Sequence, residues 1–242
     1  METRGSARLT RAGLAGLMTG MARSVILRSA PRCAGCRFTP RWCICAGLEE
    51  VECSLQVDVL IHQREFWRPT STGRLINRVM PASRAHLFRR DTRHDRAAIM
   101  LPERTLWILH PRGEPLPAGA APAGLQVLLL DGSWREAARM AQAVAPWGRL
   151  VRLPEAGPSR NRLRSQEQAG NYSTIESLLF LFAALGLDEA EVRLRRQFEL
   201  HVYAGLRNRG AKAQADEFLA TTSLRETFPD LLQEMDRPRR RE

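Results

Sequence analysis

Lysine is almost missing from this chain. Of its 37 basic residues only Lys212 is a lysine, so a formal charge of +11 is carried by arginine. A GC-rich genome also produces an arginine bias, but a charge of this size favours an anionic partner, most commonly nucleic acid. No uninterrupted apolar run reaches membrane length, which excludes a transmembrane helix. A secretory apolar core is lacking too, because residues 12–18 are short and contain glycines. Internal repeats are absent. Five cysteines do not suggest a secreted disulfide scaffold. A length of 242 residues suffices for one large α/β domain, or one with small appendages.

The positive charge is concentrated at Arg84, Arg89, Arg90, Arg93 and Arg96 and in a basic tail, residues 237–242. For the tail, solvated and non-specific charge is the expectation. Residues 1–30 hold several arginines and one acidic residue without a sustained pattern. They read as a disordered extension of a cytoplasmic protein, with Met18 and Met21 as alternative starts.

Four of the cysteines fall within thirteen residues, as Cys33-x2-Cys36-x6-Cys43-x-Cys45. Two close pairs joined by a short turn can wrap a tetrahedral, all-thiolate zinc ion. Residues 31–54 then form a small knuckle that depends on metal to fold. The C-x-C half is the less common one, so a disulfide or free thiols stand as alternatives. Cys53, entering a strand, reads as core.

Downstream, short apolar segments alternate with helical ones. Strands are expected at 55–61, near 86–88, at 105–110, 125–130 and 149–153. Helices are expected at 75–80, 175–185, 189–209, 211–219 and 224–235. In the long helix Val192, Leu194, Phe198, Val202 and Leu206 supply the apolar surface. Residues 111–124, rich in Pro, Gly and Ala, read as loop, as do 155–170. This alternation predicts an α/β domain over 55–236, with a mostly parallel sheet covered by helices on both faces.

The most informative stretch is 125–140. Its apolar run ends at Asp131-Gly132, and Ser133 with Glu136 then forms a helix capping box. A carboxylate directly after a buried strand must face a cleft, a partner or solvent. In parallel sheets ligands bind outside the carboxyl ends of the strands. Polar, arginine-bearing loops also follow the strands at His62 and Pro154. If the strands are parallel, His62, Glu65, Arg68, Asp131 and Arg164 meet at one edge, a site by convergence. Structural readings stand beside these. Ser133 with Glu136, and Ser173 with Glu176, are caps; Trp134 is a packing anchor; Thr70, Thr72 and Gly73 shape a loop.

Taken together, these segments resemble the DTW-domain family of tRNA-uridine aminocarboxypropyltransferases. The family's Asp-x-Thr/Ser-Trp motif stands here as Asp131-Gly132-Ser133-Trp134, with serine in place of the usual threonine. Around it, in order, lie the cysteine knuckle, Arg68-Pro-Thr-Ser-Thr-Gly-Arg74-Leu, Arg162-Leu-Arg164 and Ser173-Thr-Ile-Glu176. His62-Gln63 replaces the His-Pro of many relatives. The resemblance implies a SPOUT-like fold with a C-terminal trefoil knot. It also implies transfer of the 3-amino-3-carboxypropyl group of S-adenosylmethionine to N3 of a tRNA uridine, releasing methylthioadenosine.

On that resemblance Asp131 is the candidate general base. Ser133, Trp134, Arg164, Ser173, Thr174 and Glu176 are cofactor-binding candidates. His62, Glu65, Arg68, Thr72 and Arg74 are substrate-binding candidates, with Arg68 and Arg74 open to either role. Zinc on Cys33, Cys36, Cys43 and Cys45 is structural. A SPOUT-class methyltransferase and a non-catalytic zinc-knuckle RNA-binding protein are the rival functions.

Overall fold

The computed structural model describes residues 31–92, 94–154, 157–164 and 171–237. The expected N-terminal extension, Arg93 and all of the basic tail beyond Arg237 lie outside the described residues.

Short Val, Leu and Ile runs, each closed by a polar or turn residue, form five strands. These are β1 (Gln56–His62), β2 (Arg84–Phe88), β3 (Thr105–Pro115), β4 (Leu125–Asp131) and β5 (Arg149–Arg152). They pair in the order β2-β1-β4-β3-β5, and every pairing is parallel. Side chains alternate across a strand, so one sheet sorts its residues onto two faces. Val57, Val59, Ile61, Val127 and Leu129 enter the larger core. Leu60, Leu106, Ile108 and Leu128 enter a smaller one with Phe88, Ile99, Met140 and Val144. Helices α1 (Thr72–Val79), α4 (Thr174–Ala184) and α5 (Asp188–Asn208) cover the first face. Helices α2 (Arg96–Ile99) and α3 (Trp134–Val144) cover the second. The expected α/β layering is present.

Three local expectations are corrected. Residues 111–115 are not loop but the end of β3, which bulges between Leu109 and Glu114 so that both face Val151. Gly113 makes this possible, since a Cβ there would lie 2.5 Å from the Val151 nitrogen. Val192 is 46% exposed, off the buried stripe of α5 that Leu194, Phe198, Val202 and Leu206 form. The last expected helix is two, α7 (Leu224–Thr227) and α8 (Pro229–Asp236), because Pro229 opens a new first turn; α6 (Lys212–Leu219) precedes them.

The cysteine knuckle packs into the main core. Phe38 and Ile44 are buried there, with the Phe38 ring 5.1 Å from that of His201 on α5. The Thr39 amide and hydroxyl both donate to Asn208 Oδ1, at 2.8 and 3.0 Å. Arg41 donates to the carbonyl of Met235 in α8.

The fully buried Asp58, in mid-β1, is a structural charge. Arg84 grips it from Nε and Nη2 at 2.9 and 2.6 Å, and Gln126 donates to it from β4. Burial pushes this carboxyl up, but His86, Arg84 and Gln126 outweigh that and hold it at about 2. His86 stands 3.9 Å away, too far for a hydrogen bond, so Arg84 and Gln126 carry most of the effect. A carboxyl held below its ordinary value stabilises the fold above about pH 4, and that stabilisation is lost as pH falls through about 2. The gap in unfolding free energy between wild type and Asp58→Asn should therefore shrink by roughly 2 kcal/mol from about pH 5 to pH 2. Urea titrations across that range measure it. A constant gap would show that the carboxylate is not preferentially ionised in the fold.

Candidate active site between β1 and β4

Neighbouring strands β1 and β4 send their chains to opposite sides. From β1 the chain runs through α1 to β2 on one side; from β4 it runs through α3 to β5 on the other. Such a reversal opens a crevice at the carboxyl ends of the two strands. His62 and Asp131 are the terminal residues of those strands.

Asp131 is 3% exposed and both of its oxygens are engaged. Ser71, the N-cap of α1, donates to Oδ2 at 2.7 Å, and Thr174, the first residue of α4, donates to Oδ1 at 2.6 Å. Thr72 Oγ1 accepts from the Ile175 amide at 3.4 Å, so the first turns of α1 and α4 are tied directly as well. Two helix N-termini thus converge on the end of β4, where negative charge is favoured. Gly73 permits the approach: a Cβ there would sit 2.7 Å from the Asp131 Cγ. A carboxylate offers about four lone-pair directions, and the two hydroxyls use two of them.

A second buried carboxylate organises the loop after β1. Glu65 is fully buried, accepting from Arg68 at 2.6 Å and from Arg164 across the crevice. Arg164 also reaches the Thr70 hydroxyl at 3.3 Å. Two guanidiniums against one carboxylate leave a surplus positive charge beside the loop after β1, suited to an anionic group. At the end of β1, His62 Nδ1 lies 3.1 Å from Glu136 Oε1. Glu136 and Ser133 form the expected capping box of α3, and Trp134 follows it 40% exposed. Burial would raise the Glu136 carboxyl, but the Ser133 amide and hydroxyl, with His62 and Arg64, hold it low.

Glu176 binds the segment after β5 to the start of α4. It accepts from the Ser159 hydroxyl and the Arg160 amide, both at 2.7 Å, and from Ser173 Oγ at 2.7 Å. Ser173 and Glu176 thus make the cap that the sequence suggests, and this cap sets where Thr174 stands. Thr72, Asp131 and Thr174 thus meet at the end of β4, Glu65, Arg68 and Arg164 meet around the loop after β1, and His62 meets Glu136 of the Ser133 cap, which Trp134 follows. Arg74 is turned away from Asp131. It donates to the Gly35 carbonyl at 3.0 Å and lies over the Phe66 ring, on the knuckle side.

Sequence reasoning missed Ser71 as a partner of Asp131, 60 residues away. It also missed the His62–Glu136 pair, since Glu136 reads fully as a cap. Gln197 and His201, buried on one face of α5 with unpartnered side-chain nitrogens, were hidden inside an apolar helical pattern.

In the knuckle, the four cysteine sulfurs lie within 4.8 Å of one another. This spacing can hold a zinc ion, whose Zn–S bonds are about 2.3 Å. Arg78 donates to Cys45 Sγ at 3.2 Å, and Arg74 and Arg37 stand close by. Burial pushes the Cys36 and Cys43 thiols up. Part-buried thiols with guanidiniums beside them fit a divalent cation, which ionises its ligands and leaves a net negative cluster for the arginines to offset.

No solved structure shows a significant match to the chain. A family model described as the DTW domain matches residues 30–204, more than half of the sequence, from the knuckle into α5.

Proposed function

The chain belongs to the DTW-domain family, and on that premise we propose that it is a tRNA-uridine aminocarboxypropyltransferase. In this reading S-adenosylmethionine donates its 3-amino-3-carboxypropyl group to N3 of a uridine, and methylthioadenosine leaves. The observation that carries the reading is the position of Asp131: buried, oriented by Ser71 and Thr174, at the switch point of a parallel sheet.

The chemistry sets three tasks for the protein. The N3 proton must leave as the nitrogen attacks, and Asp131, with two lone-pair directions left, is the group to accept it. Ser71 and Thr174 hold its carboxylate still, which keeps the base aligned. The donor's amino-acid carboxylate needs a cation; Arg164 and Arg68, which exceed the charge of Glu65, supply one at the mouth. The uracil or adenine ring needs a flat apolar surface, and the part-exposed Trp134 offers it. Zinc in this reading is structural, held by Cys33, Cys36, Cys43 and Cys45.

With the activity goes a SPOUT-like knotted fold, proposed on the family resemblance. The all-parallel sheet and the return of the chain after β5 to Asp131 through Thr174 support it. A cytoplasmic location is part of the same proposal. No helix among the described residues is long and apolar enough to cross a membrane.

The test is incubation of the purified protein with unmodified tRNA and S-adenosylmethionine, followed by mass spectrometry of nucleosides and by-product. The expected products are an aminocarboxypropyl-uridine and methylthioadenosine. A methylated nucleoside with S-adenosylhomocysteine would replace the reading with a methyltransferase. Binding of tRNA without any product would replace it with a non-catalytic RNA-binding protein.

A further inference from the structure

Trp67 is out of place by ordinary burial rules. It is 63% exposed, the most exposed of the large apolar side chains that are exposed among the described residues, although a tryptophan normally hides most of its surface. Its loop is nonetheless well ordered. Backbone bonds from Glu65 and Phe66 to the His62 carbonyl, and from Arg68 to Glu65, wind the segment into tight turns. The buried Glu65 then fixes those turns through Arg68 and Arg164. Phe66 meets the Trp67 ring edge-on at 5.0 Å. From the knuckle, the Arg37 guanidinium lies over the ring, 4.8 Å from its centre. Arg37 reaches it from a left-handed backbone conformation, φ 67°, an unusual state for a residue with a side chain.

The surroundings select the partner. Gln63, Arg64 and Arg68 are exposed beside Trp67, and the loop's one acid, Glu65, is buried and already paired. An exposed ring among guanidiniums is poor packing for an apolar protein surface but suits an unpaired base on a phosphate backbone. Because the loop is already ordered, binding costs little entropy there.

We propose that Trp67, held up by the Glu65 clamp and flanked by Arg37 of the cysteine knuckle, is a stacking platform for an unpaired nucleotide of the RNA substrate. The proposal rests on the tRNA reading given above. It adds a contact outside the Asp131 crevice and gives the knuckle a part in substrate binding.

The test compares tRNA binding by the zinc-loaded full-length protein and its Trp67→Ala, Trp67→Phe and Arg37→Gly variants. Trp67 is exposed, so its replacement should leave the melting temperature and zinc content unchanged. Base–aromatic stacking is worth about 1–3 kcal/mol, so Trp67→Ala should weaken tRNA binding roughly tenfold. Trp67→Phe should retain most of the affinity. Arg37→Gly, which suits the left-handed turn, should lose severalfold. Affinity for a fully paired RNA duplex should not change with Trp67→Ala, because a duplex offers no free base.

If the wild type binds and modifies tRNA and Trp67→Ala binds equally well, this inference falls and the enzymatic reading stands. If the wild type binds tRNA in a Trp67-dependent way without turning it over, the platform stands and the reaction reading falls. A change from dimer to monomer on Trp67→Ala, with tRNA affinity intact, would assign the ring to a protein interface and overturn the proposal.

Discussion

Removal of zinc is expected to unfold much more than the knuckle. Strong chelation, or Cys36→Ser, should lower the melting temperature by well over 10 °C, and the metal-free chain should not regain tRNA binding. Structural zinc in small Cys sites contributes apparent free energies of about 10–16 kcal/mol, comparable with the whole stability of an ordinary domain, about 5–15 kcal/mol. Here the loss cannot stay local. Cys36, Phe38 and Ile44 belong to the same buried cluster as α1, α4 and α5, so a disordered knuckle uncovers His201 and Leu200 on α5. Without the metal, Arg37, Arg74 and Arg78 repel one another with less negative charge between them, since burial pushes the Cys36 and Cys43 thiols up. Metal analysis with melting curves checks this: one zinc per chain is expected, lost together with the fold. A metal-free protein that melts at the same temperature would identify the four sulfurs as thiols serving only as packing.

Asp131→Asn should cut turnover by orders of magnitude while preserving the fold. The change keeps the shape of the side chain, and the Ser71 and Thr174 hydroxyls can rotate so that one donates and the other accepts. Loss of a positioned base costs about 10²–10⁴ in rate, so kcat should fall by that factor with little change in tRNA affinity. Asp131→Ala is the harsher variant, because it strands the buried Ser71 hydroxyl, at about 1–3 kcal/mol, and the half-buried Thr174 hydroxyl, and so destabilises as well. Gly73→Ala provides an independent arm. Its methyl would press on the carboxylate from 2.7 Å, so it should reduce turnover although Asp131 itself is intact. If Asp131→Asn turns over at the wild-type rate, Asp131 is a clasp between α1 and α4, and the base lies elsewhere.

Much of this site is legible in the sequence because its parts follow local rules. A buried strand that ends in Asp131 and opens a capped helix reads correctly from residues 125–140 alone. Parallel pairing, once inferred, predicts that the loops after β1, β4 and β5 meet. What cannot be read is which atoms meet. Ser71 and Thr174 reach Asp131 across 60 and 43 residues, and Arg164 reaches Glu65 across 99; no periodicity encodes such pairings. The end of β3 reads as loop because prolines and glycine normally stop a strand, whereas a bulge absorbs them beside the short edge strand β5. Asp58 reads as one polar residue in a strand, and only its neighbours Arg84 and Gln126 make it a buried ion. Arg74, adjacent to the site in sequence, is carried to the knuckle because α1 rotates it to the far side of Gly73.

The bonds from Thr39 to Asn208 and from Arg41 to Met235 join positions 169 and 194 residues apart. On the ribosome, at about 5–20 residues per second, Met235 follows Arg41 by roughly 10–40 s. The four thiols thus emerge well before the apolar seat for Phe38 and Ile44 on α5 is built. For that interval the nascent knuckle must shield its own sulfurs, and early metal capture is what can do so. With zinc as the ion these sulfurs hold, its cellular supply during translation would become a determinant of how much active protein a cell obtains.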